Sequence, residues 1–365
     1  MKKVLFVATV KRHIMAFHIP FLKMLKEMGY ETAVAVRNDY DNKNKCNIPY
    51  CDEYFDIPFK RSPFSFANIK AYCQLRKIIG EGHYDIIHCH TPVGGVLARL
   101  AAWGSGTKVI YTAHGFHFYK GAPLLNWLVY FPVEWVCAWL TDVLVTINQE
   151  DYIFAKKHMH AKQVFYIPGV GIDLDKFNVN VLDEQQRIQK RQALGLTAED
   201  KMLLSVGELN KNKNHEIVIR ALAKIKNPAI KYYIAGEGSL RDYLLHLAKD
   251  LGVENQVKLL GYRTDILDLL AVTDLFVFPS HREGLSVSLM EAIACQAPVV
   301  CSNIRGNMDL VIGNALFNQN DVEDVKNKIS SFLFSDCSAE VESNFANLQK
   351  YSLENVVNEM RKVYV

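Results

Sequence analysis

The chain has 365 residues, 50% of them hydrophobic and 22% charged, and a net charge of +3 at neutral pH. That length is too great for one compact core and fits two domains of a soluble globular protein. No run of about 18 uncharged apolar residues is present, which predicts no membrane span, and the mild charge gives no sign of a nucleic-acid partner.

The charge is uneven. Residues 1–165 carry 20 Lys/Arg against 13 Asp/Glu, a net +7, and the remainder 22 against 26, a net −4. An anionic partner or surface for the first half alone accounts for this, and so does uneven solvation. The opening MKKVLFVATVKRH puts lysines before an apolar run, as a signal peptide does. That run ends after seven residues with no small-residue cleavage site, and its Val/Phe content suits a first buried strand.

Strands are expected at residues 3–9, 31–37, 84–90, 108–114 and 142–148, with helical periodicity near 17–28, 66–80, 94–103 and 122–140. Runs such as VLFVAT, DIIHCH and VLVTIN are apolar throughout, as in a parallel sheet covered on both faces. Residues 1–170 therefore read as a doubly wound α/β domain. Eight cysteines, at 46, 51, 73, 89, 137, 295, 301 and 337, form no C-x-x-C pair, and several sit in apolar patterns. Reduced thiols in a cytoplasmic protein are expected. His88-Cys89-His90 resembles a metal motif, but on a strand the middle side chain faces away from the other two, so no zinc site is expected from these three.

Residues 163–180 break the rhythm with Pro168, Gly169 and Gly171 and read as the linker; Asp173-Leu174-Asp175 within it reads as turn chemistry rather than a metal site. The alternation then restarts. Strands are expected at 201–207, 230–236, 256–261, 274–280 and 297–303, with helices from about 214, at 239–251, at 264–271 and after 285. Residues 171–350 form a second α/β domain of the same class, and the helical tail 351–365 has an apolar stripe, Leu353, Val356, Val357, Met360 and Val363, that must pack on something; crossing back to the first domain is one solution. Two such domains would present their sheets' carboxyl ends to one cleft.

Four turns of the second domain fall at those carboxyl ends. Gly207-Glu208 leads to Lys211, Lys213 and Asn214; Gly236-Glu237-Gly238-Ser239, Gly261-Tyr262-Arg263-Thr264-Asp265 and the loop at Glu283 follow. Together they offer backbone amides and a lysine to phosphates. Residues 279–303, PSHREGLSVSLMEAIACQAPVVCSN, read as strand end, polar loop, helix and strand. If Ser286 or a neighbour caps the helix, the amides of 284–287 point at an anion, while Glu283 and Glu291 lie about 10 Å apart along the axis.

The E-x7-E of Glu283 and Glu291 and the G-x-L-x-x-x-K of Gly207 to Lys213 resemble the GT-B fold retaining glycosyltransferases of family 4. The strings FVATVKRHIMAFHIPF, HCHTPVGGVLARLAA and YTAHGFHFYKGAP are similar to the transferases of exopolysaccharide and capsular polysaccharide assembly. The resemblance covers essentially the whole chain. It implies that Glu283 contacts donor-sugar hydroxyls, that amides of Gly284, Leu285 and Ser286 meet the diphosphate, that Glu291 binds the ribose diol, and that Lys213 binds the diphosphate charge. Gly207 and Gly236 would shape the donor site, the Tyr262-Arg263 turn would read the nucleobase, and His114 would lie near the transferred sugar. Glu208 stands where the family usually has arginine, and a carboxylate beside a diphosphate is repulsive. Glu208 pointing away, Lys211 substituting, and weakened donor binding stay open. In the first loop the family's glycine pair is missing; Lys11, Arg12, His13 and His18 occupy that neighbourhood and suit an acceptor pyrophosphate.

The implied reaction is transfer of a sugar from a nucleotide-sugar, a UDP-sugar, to a polyprenyl-diphosphate-linked acceptor at the cytoplasmic membrane face, with the anomer retained and without metal or cofactor. Its catalytic residues would be His114, Lys213 and Glu283. Residues 120–140 bring Trp127, Trp135 and Trp139 among Leu and Val, and KRSPF at 60–64 adds charge near aromatics; an interfacial helix and a buried core helix both fit. A GT-B epimerase or phosphorylase, and a non-catalytic partner subunit, are the competing readings. A dinucleotide oxidoreductase is disfavoured because the first strand leads into ATVKRHIMAF, with no G-x-G-x-x-G.

Overall fold

Alternating residues of the first strand, Leu5 and Val7 against Val4, Phe6 and Ala8, enter two separate apolar clusters on opposite faces of one sheet, which is why the strand is apolar along its whole length. The computed structural model describes residues 1–40, 47–177 and 182–365. It divides the chain into two units, one of Met1–Gly171 with Glu354–Val365, the other of Ile172–Leu353.

The first unit runs β1 (Lys3–Val10), α1 (Lys11–Phe17), α2 (Ile19–Glu27), β2 (Glu31–Arg37), β3 (Glu53–Asp56), α3 (Ala67–Gly82), β4 (Ile86–His90), α4 (Pro92–Ala102), β5 (Lys108–Ala113), α5 (Leu124–Ala138), β6 (Val143–Thr146), α6 (Gln149–His158) and β7 (Gln163–Tyr166). Its seven strands lie in the order β3-β2-β1-β4-β5-β6-β7, with each neighbouring pair parallel. The chain order reverses between β1 and β4, so their carboxyl ends open a crevice there. α4 comes close to that crevice. A Cβ on Gly94 would lie 2.9 Å from Thr91 Oγ1, and one on Gly95 2.5 Å from the Tyr111 ring.

Three sequence expectations are corrected here. Residues 163–166 are not linker but β7, which pairs with β6. No loop separates β1 from the first helix: Lys11, Arg12 and His13 open α1. The strand expected at 142–148 is β6 and ends at Thr146, and Asn148 instead caps α6 by accepting a hydrogen bond from the Asp151 amide. Within the remaining linker, Asp173 Oδ1 accepts from the amides of Asp175 and Lys176, a self-closing turn; residues 178–180 lie outside the described residues.

The second unit runs α7 (Glu184–Leu194), β8 (Lys201–Val206), α8 (His215–Ile225), β9 (Ile230–Ala235), α9 (Arg241–Asp250), β10 (Val257–Gly261), α10 (Ile266–Ala271), β11 (Leu275–Phe278), α11 (Val287–Ala294), β12 (Val299–Ser302), α12 (Asn307–Leu310), β13 (Leu316–Phe317), α13 (Val322–Phe334) and α14 (Ser338–Leu348). Its parallel sheet, β10-β9-β8-β11-β12-β13, repeats the strand order of the first unit, with the reversal between β8 and β11. α15 (Leu353–Tyr364) belongs to the first unit from Glu354 onward. Val356, Met360, Val363 and Tyr364 pack into the cluster under β1, the Tyr364 hydroxyl bonds His88 Nδ1, and Lys108 Nζ donates to the Val363 carbonyl at 3.1 Å. The described cysteines are all free, and Cys46 lies outside the described residues.

Candidate active site

In the second unit two loops meet where the strand order reverses. After β8, Gly207 leads into a single 3-10 turn, Lys211–Lys213, closed by the Asn210 side chain accepting from the Lys213 amide at 3.0 Å. After β11 the loop runs to Ser286, whose hydroxyl caps α11 by accepting from the Leu289 amide. The His281 amide donates to Asn212 O at 2.8 Å, and Asn212 Nδ2 donates to Arg282 O at 2.9 Å. These two bonds hold the loops in register.

They bring Lys213 Nζ to 2.7 Å from Glu283 Oε1, with the ammonium 4.8 Å from the centre of the Phe278 ring. Both side chains are mostly enclosed, so water screens their charges weakly. The backbone around them leaves no slack. A Cβ on Gly236 would fall 1.9 Å from the Gly207 carbonyl oxygen, and one on Gly306, whose φ is +77°, 2.3 Å from that of Gly284. Arg305, buried beside Gly306, donates from Nε to the Glu283 carbonyl at 3.2 Å. Sequence reasoning missed Arg305, although its place just past β12, before a glycine, is that of the other turns.

Glu291 sits on α11 and is mostly buried; desolvation pushes its carboxyl up to about 7, with Lys176 pulling the other way. Tyr262 is 75% exposed. Arg263 forks onto Asp265, with Nε 2.7 Å from Oδ1, and that pairing first of all, with Lys190 beside it, holds the carboxyl well below the usual range. Glu208 is exposed and makes no ion pair or side-chain hydrogen bond among the described residues, so its charge is left to solvent.

In the first unit the crevice between β1 and β4 collects histidines rather than cations. His13 comes from α1 and His18 from the junction between α1 and α2, His90 ends β4, and His114 follows β5. His13 Nε2 is 3.3 Å from His114 Nε2, which is 3.5 Å from His90 Nδ1. Burial lowers all four, His13 to about 4 and the others well below their ordinary value, so all are neutral at pH 7. The four residues matched to an acceptor pyrophosphate therefore do not form one cationic face. Lys11 is buried with its ammonium near the rings of Tyr40 and Tyr54, and His13 and His18 are uncharged. Arg12 alone is solvent-exposed, and it pairs with Asp39.

Beside His13 opens a cavity of about 510 Å³, walled largely by apolar groups including Phe64, Val93, Leu97, Val129 and Val133. α5 combines both readings of residues 120–140. Glu134 is buried against Arg99 at 2.8 Å and Tyr111 at 3.1 Å, and Trp127, Tyr130 and Phe131 pack on the core. Leu124, Leu125, Leu128, Val136 and Trp139 are exposed.

Two family models match: "Glycosyl transferase 4-like" over residues 3–148 and "Glycosyl transferases group 1" over residues 186–347. The Bacillus subtilis protein EpsD, named as a glycosyltransferase, is 44% identical over 317 residues, which is 85% of this chain and 81% of that one. This chain belongs to the group 1, family 4-like glycosyltransferases. An Escherichia coli protein, UDP-Gal:alpha-D-GlcNAc-diphosphoundecaprenol alpha-1,3-galactosyltransferase, is 32% identical over 72% of this chain and 70% of its own length. Among solved structures, Anabaena HepE with UDP and glucose superposes with a TM-score of 0.79 at 20% identity, covering 100% of this chain and 99% of that one. Sucrose-phosphate synthase from Thermosynechococcus elongatus superposes with a TM-score of 0.82 at 16% identity, covering 100% and 98%. The fold of this glycosyltransferase is thus GT-B, with two parallel-sheet α/β units.

Proposed function

We propose that this glycosyltransferase moves a sugar from a UDP-sugar to a polyprenyl-diphosphate-linked acceptor in exopolysaccharide or capsular polysaccharide assembly, with retention at the anomeric carbon and no metal on the diphosphate. The observation that carries it is the Lys213–Glu283 pair at the strand-order reversal of the second unit. Each member is the other's substitute for a substrate group. When the donor arrives, the ammonium turns to the diphosphate and the released carboxylate accepts hydrogen bonds from sugar hydroxyls. Backbone amides of Gly284, Leu285 and Ser286 join Lys213 on the diphosphate at the start of α11, Glu291 takes the ribose diol, and the Tyr262-Arg263 turn meets the base.

In this reading the acceptor hydroxyl oxygen attacks the anomeric carbon from the side of the leaving group, the bond to the diphosphate breaks, and the departing diphosphate oxygen takes the hydroxyl proton. The protein supplies position and stabilisation of the developing phosphate charge. The names of the E. coli relative, and of a Campylobacter jejuni transferase 37% identical over 40% of this chain and 37% of its own length, record diphosphoundecaprenol-linked acceptors and alpha products. These support the acceptor class and retention. UDP in the E. coli relative's donor and in the HepE complex supports the nucleotide.

With a UDP-sugar and a lipid-diphosphate acceptor, Lys213→Ala is expected to lower turnover by roughly 10²–10³; wild-type turnover in that variant sinks the assignment. NMR of the product's anomeric proton reads retention, and donor hydrolysis without acceptor separates an enzyme from a partner subunit. Peripheral association with the inner membrane face fits the exposed apolar side of α5 and the net +7 of the first 165 residues.

A further inference from the structure

We propose that His13, His18, His90 and His114 form a binding site for one divalent transition-metal ion, zinc being the best match to four imidazoles. The site lies within the first unit, and it stands whether or not the transferase reading above holds. One ring nitrogen from each residue lies within 4.8 Å of all the others. A tetrahedral ion with metal–nitrogen distances of about 2.0–2.1 Å separates its ligands by about 3.4 Å. The two closest separations here, 3.3 and 3.5 Å, already match, and the others, none above 4.8 Å, have to shorten by at most about 1.4 Å on binding.

A hydrogen-bonded array explains the cluster poorly. His114 Nε2 is the near neighbour of both His13 Nε2 and His90 Nδ1, yet an imidazole nitrogen has one in-plane direction to donate or accept along. His18, buried, has no hydrogen-bond partner on either ring nitrogen, and His90, also buried, has none on Nε2. Buried polar atoms without partners are rare, and a shared cation would supply one to His18. By contrast His88, one strand position pair away, has both nitrogens occupied, by Tyr364 and by Thr112 Oγ1, and stays outside the set. His13 and His114 are only half-buried and His13 lines the apolar cavity, which provides an access route. Neutral imidazoles without a carboxylate select zinc, copper or nickel over magnesium and calcium, which take oxygen ligands.

The test uses the untagged full chain, stripped with a chelator and titrated with zinc or cobalt(II) alone. One equivalent should bind, raising the melting temperature, and cobalt should show the intense visible bands of a tetrahedral nitrogen-ligated ion. His18→Gln and His90→Gln should each weaken binding at least about 100-fold, whereas His246→Gln, an exposed histidine of the second unit, should leave it unchanged. Zinc-edge X-ray absorption on the wild type needs no variant to fold; it should show imidazole nitrogens at about 2.0–2.1 Å. Absence of stoichiometric binding by the folded wild type overturns the proposal. So does unchanged binding in folded His18→Gln and His90→Gln, or an oxygen-dominated shell.

Discussion

Glu291 joins stability to function through one carboxylate. It titrates near 4.5 in the unfolded chain and at about 7 in the folded one, because burial disfavours its charge more than Lys176 favours it. A carboxyl raised by folding leaves the folded state unpenalised below pH 4.5 and progressively destabilised as pH rises through 7, by up to about 3 kcal/mol at pH 8.5. Glu291→Gln is therefore expected to raise the melting temperature by several degrees at pH 8.5 and by much less at pH 5.5. An equal shift at both values would contradict the buried-charge account. On the proposed reading, in which Glu291 takes the ribose diol, the same variant should bind UDP-sugar about 10–100-fold more weakly. The two glutamates were visible as an E-x7-E spacing. That Glu283 rests on Lys213 while Glu291 is buried with only the partial pull of Lys176 was not, because their surroundings come from residues 70 or more positions away.

At the scale of elements, the loop before α11 depends on glycines elsewhere in the chain. Gly306→Ala adds a Cβ 2.3 Å from the Gly284 carbonyl at a backbone φ of +77°, so it should cost on the order of 1–3 kcal/mol. Because the strained contact is with the loop proposed to hold the donor, titration with UDP should show loss of affinity alongside the lower melting temperature; a stable variant with normal UDP binding would show that the loop is not held this way. α15 is the second case. Its apolar stripe announced a partner, and the structure supplies β1, β4 and their neighbours, with Tyr364 filling the space beside His88. Tyr364→Phe leaves a buried imidazole nitrogen unpaired and should lower stability by about 1–3 kcal/mol, measured by urea unfolding. β7 escaped notice because Gln163–Tyr166 is four residues long and half-buried at a sheet edge, with Pro168 and Gly169 just beyond it.

For the molecule as a whole, the exposed side of α5 and the positive first half predict binding to anionic lipid vesicles that falls as salt rises. Replacing Leu124, Leu128 and Trp139 together by Ser should reduce flotation with vesicles at least about tenfold while the melting temperature holds, as these side chains are exposed. Vesicle binding unaffected by the triple change would leave the apolar side of α5 without that role. The sequence by itself determined two α/β units, because apolar runs buried on both faces and helices of period 3.6 are local patterns that survive without tertiary contacts. It also marked the glycine turns at the carboxyl ends of the second unit's strands, since close backbone approach demands glycine there. Only the tertiary structure decided how the charges and imidazoles are partnered. Parallel strands ordered 3-2-1-4 bring residues 13, 18, 90 and 114 to one crevice, and no local periodicity encodes a juxtaposition made by crossover connections. The same physics kept the sequence's His-Cys-His from being one site, as its strand alternation predicts: the strand turned Cys89 into one core and His88 toward Tyr364, and set His90 beside histidines from three other segments.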